Sequence, residues 1–124
     1  MQKLFRYLLP LCYMTALFSV SSIPGDVMEA DPVFRWVSPN LQNLLHVPVF
    51  GGLALCWLWA LETQFTIVKK RFIAAFILTL MYAIVDEAWQ LHIPGRYGSF
   101  TDLVLDALGA VLVLWIVARR IKSD

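Results

Sequence analysis

Residues 72–91 read FIAAFILTLMYAIVDEAWQL. The first 14 carry no charge, and the run closes on Asp86, Glu87 and Gln90. A helix rises about 1.5 Å per residue, so 20 residues cover about 30 Å, the thickness of a bilayer's hydrocarbon core. Three more runs resemble it. Residues 7–23 are uncharged, residues 44–61 carry only His46, and residues 103–118 carry only Asp106. In lipid, only helices or closed barrels satisfy the backbone. None of the four runs alternates as a barrel strand does. The pattern predicts an all-α fold, a four-helix transmembrane bundle with helices at about 5–23, 44–61, 72–91 and 102–119 of a single integral membrane domain, 1–124.

Composition agrees. The 124 residues are 60% hydrophobic and 15% charged, with a mean hydropathy of +0.69. Soluble domains are about a quarter charged. A disordered chain and an ordinary soluble enzyme are excluded, and a net charge of +1 gives no basic face for nucleic acid. Cys12 and Cys56 fall inside spans and read as small apolar residues. The start, Lys3 and Arg6 before an apolar stretch and then Ser19-Val20-Ser21, has the look of a cleavable leader. Retention of this segment as the first span is the expectation.

Basic residues orient the bundle. Lys3, Arg6, Lys69, Lys70, Arg71, Arg119, Arg120 and Lys122 fall at one set of ends, and only Arg35 and Arg96 at the other. Basic residues gather on the cytoplasmic side. Both termini and the middle loop are therefore expected there, with 24–43 and 92–101 outside. The first outer loop, with Phe34, Trp36 and Val37, is expected to lie against the membrane surface.

The polar residues within the spans all fall at the outer end. His46 opens the second helix, Asp86, Glu87 and Gln90 close the third, and Asp102 and Asp106 open the fourth. Charged groups in spans are costly and face the bundle interior. Residues four apart differ by about 40° around a helix, so Asp86 shares a face with Gln90, and Asp102 with Asp106. Gly109 lies near the second of these faces. Glu87 points about 100° away and is a candidate partner for Arg96. The turn-rich stretch 92–98 makes helices three and four a hairpin. Ser99 is placed to cap the fourth helix, with Asp102 three residues on. The inner half has no ionisable path, which argues against transport.

The run Asp86-Glu87-Ala88-Trp89-Gln90-Leu91-His92-Ile93-Pro94-Gly95-Arg96, followed by Asp102 and by Asp106 three residues before Gly109, resembles the VanZ-like membrane protein family. Asn43-Leu44-Leu45-His46 with Phe50-Gly51-Gly52-Leu53 is similar to that family's His-bearing segment, and Ser21-Ser22-Ile23-Pro24 to the end of its first helix. Gln42-Asn43 stand where the family has Asp-Lys, so no lysine role carries over. Asp106 stands where Asn is common. The resemblance implies a multi-pass protein of the bacterial cytoplasmic membrane. The family's named member is associated with resistance to the glycopeptide teicoplanin.

The candidate catalytic set is His46, Asp86, Glu87, Asp102 and Asp106, with Arg96 and Gln90 as candidate substrate-binding groups. The expected partner is a membrane lipid or lipid-linked precursor. Chemistry on a headgroup, non-catalytic binding that shields against amphipathic antibiotics, and a purely structural bundle all remain open. No cofactor is required. Asp106 would be held either protonated, as a proton donor, or bridged by a divalent cation. The lack of paired Cys or of His at i, i+4 favours the proton.

Orientation is checked by cysteine labelling of a variant lacking Cys12 and Cys56. A cysteine introduced beside Lys70 is expected to resist an impermeant thiol reagent outside intact cells, and one at Pro94 to react. External labelling at the first position overturns the orientation.

Overall fold

The structure, a computed structural model, describes residues 2–36 and 38–123. It contains α1 (Gln2–Ser21), α2 (Gly25–Ala30), α3 (Pro32–Arg35), α4 (Pro39–Ala60), a 3-10 turn (Leu61–Thr63), α5 (Val68–Gln90) and α6 (Phe100–Ser123), and no strand among the described residues. Helices α1, α4, α5 and α6 hold four segments long and apolar enough to cross a membrane, Leu4–Ser21, Asn40–Thr63, Val68–Gln90 and Phe100–Lys122. Val37 lies outside the described residues.

Helix α4 begins five residues before the expected Leu44 because Ser38 and Pro39 form a start signal. The Ser38 hydroxyl accepts from the Leu41 N–H at 3.3 Å, and Pro39 takes the first helical position. The polar residues Asn40, Gln42 and Asn43 thus sit on helix, not loop. Helix α5 likewise starts at Val68, taking Lys69, Lys70 and Arg71 into its first turns. The outer stretch expected as loop holds the short helices α2 and α3. Asp31 caps α3, accepting from the Val33 N–H at 2.8 Å.

The bundle is apolar outside and carries its polar groups inward. On α5, Ile73, Ile77, Met81, Ile84 and Val85 are exposed, whereas Ala75, Thr79, Tyr82, Ala83, Asp86, Glu87 and Gln90 are buried. Lipid tails are as apolar as leucine, so close packing and polar contacts hold such helices together. Small residues supply the packing: Ala54, Ala60, Ala75, Ala83 and Ala110 are buried to within 1%. The Tyr13 hydroxyl donates to the Val49 carbonyl and the Tyr82 hydroxyl to the Met14 carbonyl, both at 2.8 Å, tying α1 to α4 and α5. At the end opposite the acids, Glu62 pairs with Arg6 and, at 3.7 Å, with Arg71. Cys12 and Cys56 are free thiols.

The closest approach is between α4 and α6. A Cβ on Gly109 would run into the Val47 carbonyl, and one on Gly51 would lie 2.6 Å from Val113 Cγ2 and 3.1 Å from the Gly109 carbonyl. These glycines let two backbones touch, as small residues do at membrane helix crossings. Gly109→Ala is expected to push the helices apart and lower stability by about 1–3 kcal/mol. Reversible unfolding in mixed micelles measures it. An unchanged midpoint refutes the tight crossing.

Candidate functional site

One turn beyond the crossing, His46 of α4 meets Asp106 of α6. The His46 Nδ1 to Asp106 Oδ1 distance is 2.7 Å. Asp106 is 1% exposed, lying on the face that also buries Gly109 and Ala110. The imidazole stacks parallel on Phe50, with ring centres 6.0 Å apart, which fixes its plane.

Asp86 is fastened from two sides. Its Oδ2 accepts from the Ser21 hydroxyl at 2.8 Å and from the Gln90 side-chain amide at 3.2 Å. Gln90, one turn away on the same face, thus orients an acid. Ser21 was not among the site residues expected from sequence. Its place in Ser21-Ser22-Ile23-Pro24 reads as a helix end, and only the packing of α1 on α5 turns its hydroxyl to Asp86. Ser22 is used similarly, accepting from the Trp89 indole N–H at 2.9 Å.

Glu87 does not pair with Arg96. Its Oε2 accepts the Ser99 N–H at 2.8 Å, just ahead of α6. A carboxylate there meets both an orphan N–H and the positive end of the helix dipole. Ser99 caps as expected, its hydroxyl accepting from the Asp102 N–H at 3.4 Å, while Glu87 of the neighbouring helix takes the Ser99 N–H. Asp102 is half-buried beside them.

Arg96 turns the other way. Its Nε donates to the Ile23 carbonyl and its Nη2 to the Val20 carbonyl, both at 3.1 Å. These carbonyls lie at the C-terminal end of α1, where a cation is favourable. The turn that presents Arg96 places Pro94 and Gly95 at its centre. Gly95 has φ +71° and Arg96 N–H closes on the Ile93 carbonyl at 3.1 Å, so glycine is needed there. Gly25 docks against this turn, its N–H donating to the Pro94 carbonyl at 2.9 Å. A Cβ on Gly25 would strike the Gly95 carbonyl. Burial draws the Arg96 guanidinium below its usual range, and the charges of Asp86 and Glu87 pull it back. It stays cationic.

Several of these groups line a cavity of about 570 Å³, whereas Glu87 and Asp106 lie behind its lining residues rather than among them. His46, Asp86, Gln90, Arg96 and Asp102 form the polar wall, and Leu17, Val20, Met28, Val33, Phe34 and Leu45 an apolar one. Helices α2 and α3 supply part of the apolar wall, a role invisible while that stretch read as loop. Among the described residues, four side-chain oxygens are buried with no hydrogen bond, one each on Asp86 (Oδ1), Glu87 (Oε1), Asp102 (Oδ1) and Asp106 (Oδ2). Ligand atoms of His46, Glu87 and Asp106 lie within 4.8 Å of one another, close enough to hold an ion.

A bundle with an apolar exterior and a polar cavity at one end defines a small multi-pass membrane protein. Residues 4–121, nearly the whole chain, match the VanZ/LLP1 family, and the chain belongs to that family. No curated protein and no solved structure matches it.

Arg96→Lys separates a fork shape from mere charge, since one ammonium cannot reach both carbonyls as the guanidinium does. It is expected to lower stability by about 1 kcal/mol, the worth of one hydrogen bond. Thermal unfolding in detergent reads this, and an unshifted midpoint would show that the two carbonyl bonds contribute nothing.

Proposed function

We propose that the protein handles a lipid or lipid-linked headgroup of the cell envelope, from a site on the outer-leaflet side of the membrane, with both termini in the cytoplasm. The observation that carries this reading is the two-sided cavity. An amphipathic ligand needs an apolar wall for its chain and a polar wall for its headgroup, and pockets of 300–1,000 Å³ suit small ligands. The eight-to-two division of basic residues supports the orientation. The acids, His46 and the Nη1 of Arg96, which neither carbonyl bond uses, offer donors and acceptors to a headgroup.

A packing-only role fits less well. A polar cluster that merely specifies helix pairing satisfies its own atoms, because an unbonded buried polar group costs about 1–3 kcal/mol. Here four carboxylate oxygens on two helix ends are unbonded, and two of those acids, Asp86 and Asp102, line the cavity.

Native mass spectrometry of the protein released from phosphatidylglycerol nanodiscs tests the reading. Bound lipid is expected to survive release. Val20→Trp, which fills the cavity from its apolar wall, is expected to reduce it at least about fivefold while the helix content holds. Equal lipid retention in the two proteins would overturn the proposal.

A further inference from the structure

We propose that His46, Glu87 and Asp106 bind a single divalent transition-metal ion. Each residue comes from a different helix, α4, α5 and α6, so the ion would sit where the three come together at the end of the bundle.

Geometry is the first support. The three ligand atoms lie within 4.8 Å of one another. Ligands at about 2.1 Å lie about 3.4 Å apart in a tetrahedral shell and about 4.2 Å apart across an octahedral one, so the side chains must close by about half an ångström or more to grip an ion. The 2.7 Å between His46 Nδ1 and Asp106 Oδ1 suits a hydrogen bond.

The second support is independent of that spacing. Glu87 and Asp106 are 7% and 1% exposed, and each keeps one buried oxygen without a partner. In each case the other oxygen is held, Glu87 by the Ser99 N–H and Asp106 by His46. Phe50 stacking holds the imidazole plane. Such outer contacts aim metal ligands. Around the three, Asp86 and Asp102 add two further unbonded oxygens. The nearby fixed cation, Arg96, has two of its nitrogens on the carbonyls of Val20 and Ile23. One guanidinium stands against four carboxylates, so the cluster is short of positive charge, and ionised carboxylates left uncompensated at low dielectric cost several kcal/mol each.

The donors choose the ion. One imidazole nitrogen with two carboxylates suits Zn²⁺ or Mn²⁺, whereas Ca²⁺ and Mg²⁺ prefer oxygen alone. His46 also lines the cavity, which gives an ion a way in and would face it toward a bound headgroup. That last step rests on the headgroup reading; ion binding does not.

The test uses the full chain in detergent, stripped with EDTA. Zn²⁺ is titrated by calorimetry and Mn²⁺ by electron paramagnetic resonance, with Mg²⁺ and Ca²⁺ alongside. One equivalent of Zn²⁺ or Mn²⁺ is expected to bind in preference to the other two, and to raise the melting temperature. Glu87→Gln and Asp106→Asn keep side-chain shape and are each expected to weaken binding at least about tenfold. Asp26→Asn, an exposed acid on α2, is expected to leave it unchanged. No saturable binding by the wild-type chain overturns the site, whatever the variants' folding. Unchanged affinity in both acid variants overturns it too. Lipid retention is measured before and after EDTA, so the headgroup reading is judged by the lipid and the metal site by the ion.

Discussion

The backbone contact between α4 and α6 governs the rest of the molecule. Gly109 lies against the Val47 carbonyl, and Gly51 faces Val113 and the Gly109 carbonyl. With no side chains between them, the helices are close enough for an imidazole on one to reach a carboxylate on the other at 2.7 Å. His46 precedes Val47 by one residue and Asp106 precedes Gly109 by three, so the contact and the pair are neighbouring features of one crossing. Any larger residue at Gly109 would move the acid away from its histidine. Helix α5 then lays Asp86, Glu87 and Gln90 beside that pair, along the face that also buries Ala75, Thr79, Tyr82 and Ala83.

The sequence shows the four long helices clearly, because a span must be apolar over about 20 residues. It also shows the inward acids, since Asp86 and Gln90, or Asp102 and Asp106, share a face only through helical periodicity. The ends were less legible. Polarity at Asn40, Gln42 and Asn43 suggested loop, but the Ser38–Pro39 start outweighs it. Helices α2 and α3 are too short for any periodicity to reveal. The partners of Glu87 and Arg96 could not be read from charge. Opposite charges nine residues apart invite an ion pair, yet each group instead meets backbone atoms at or near a helix end, Glu87 the Ser99 N–H and Arg96 the carbonyls of Val20, in the last turn of α1, and Ile23, just beyond it. Helix ends leave such atoms unsatisfied whatever the sequence, and in an apolar surrounding they compete strongly for any charge within reach.

Those two pairings have a common consequence. Glu87 locks the start of α6 to the end of α5, and Arg96 locks the turn between them to the end of α1. Gly25 on Gly95 adds the start of α2 to the same assembly. The connections before α4 and before α6 are thereby joined through backbone contacts, and neither relies on an exposed ion pair among the described residues. The cavity wall is therefore built on bonded turns and helix ends, which hold its shape.

The same choices leave the acids short of positive charge. Had Arg96 faced Glu87, the cluster would be partly neutralised and could be understood as packing. Arg96 brings one positive charge against the four acids Asp86, Glu87, Asp102 and Asp106, and the rest of the balance must come from protons, from His46 or from a bound cation. Protons would neutralise the acids singly and would not require three ligand atoms to converge. A cation would, and convergence of atoms from α4, α5 and α6 is what the fold produces. An ion there would also tie the three helices together at the end of the bundle that holds the cavity. The features that build the site and those that close the bundle are then the same, and a change in one should be felt in the other.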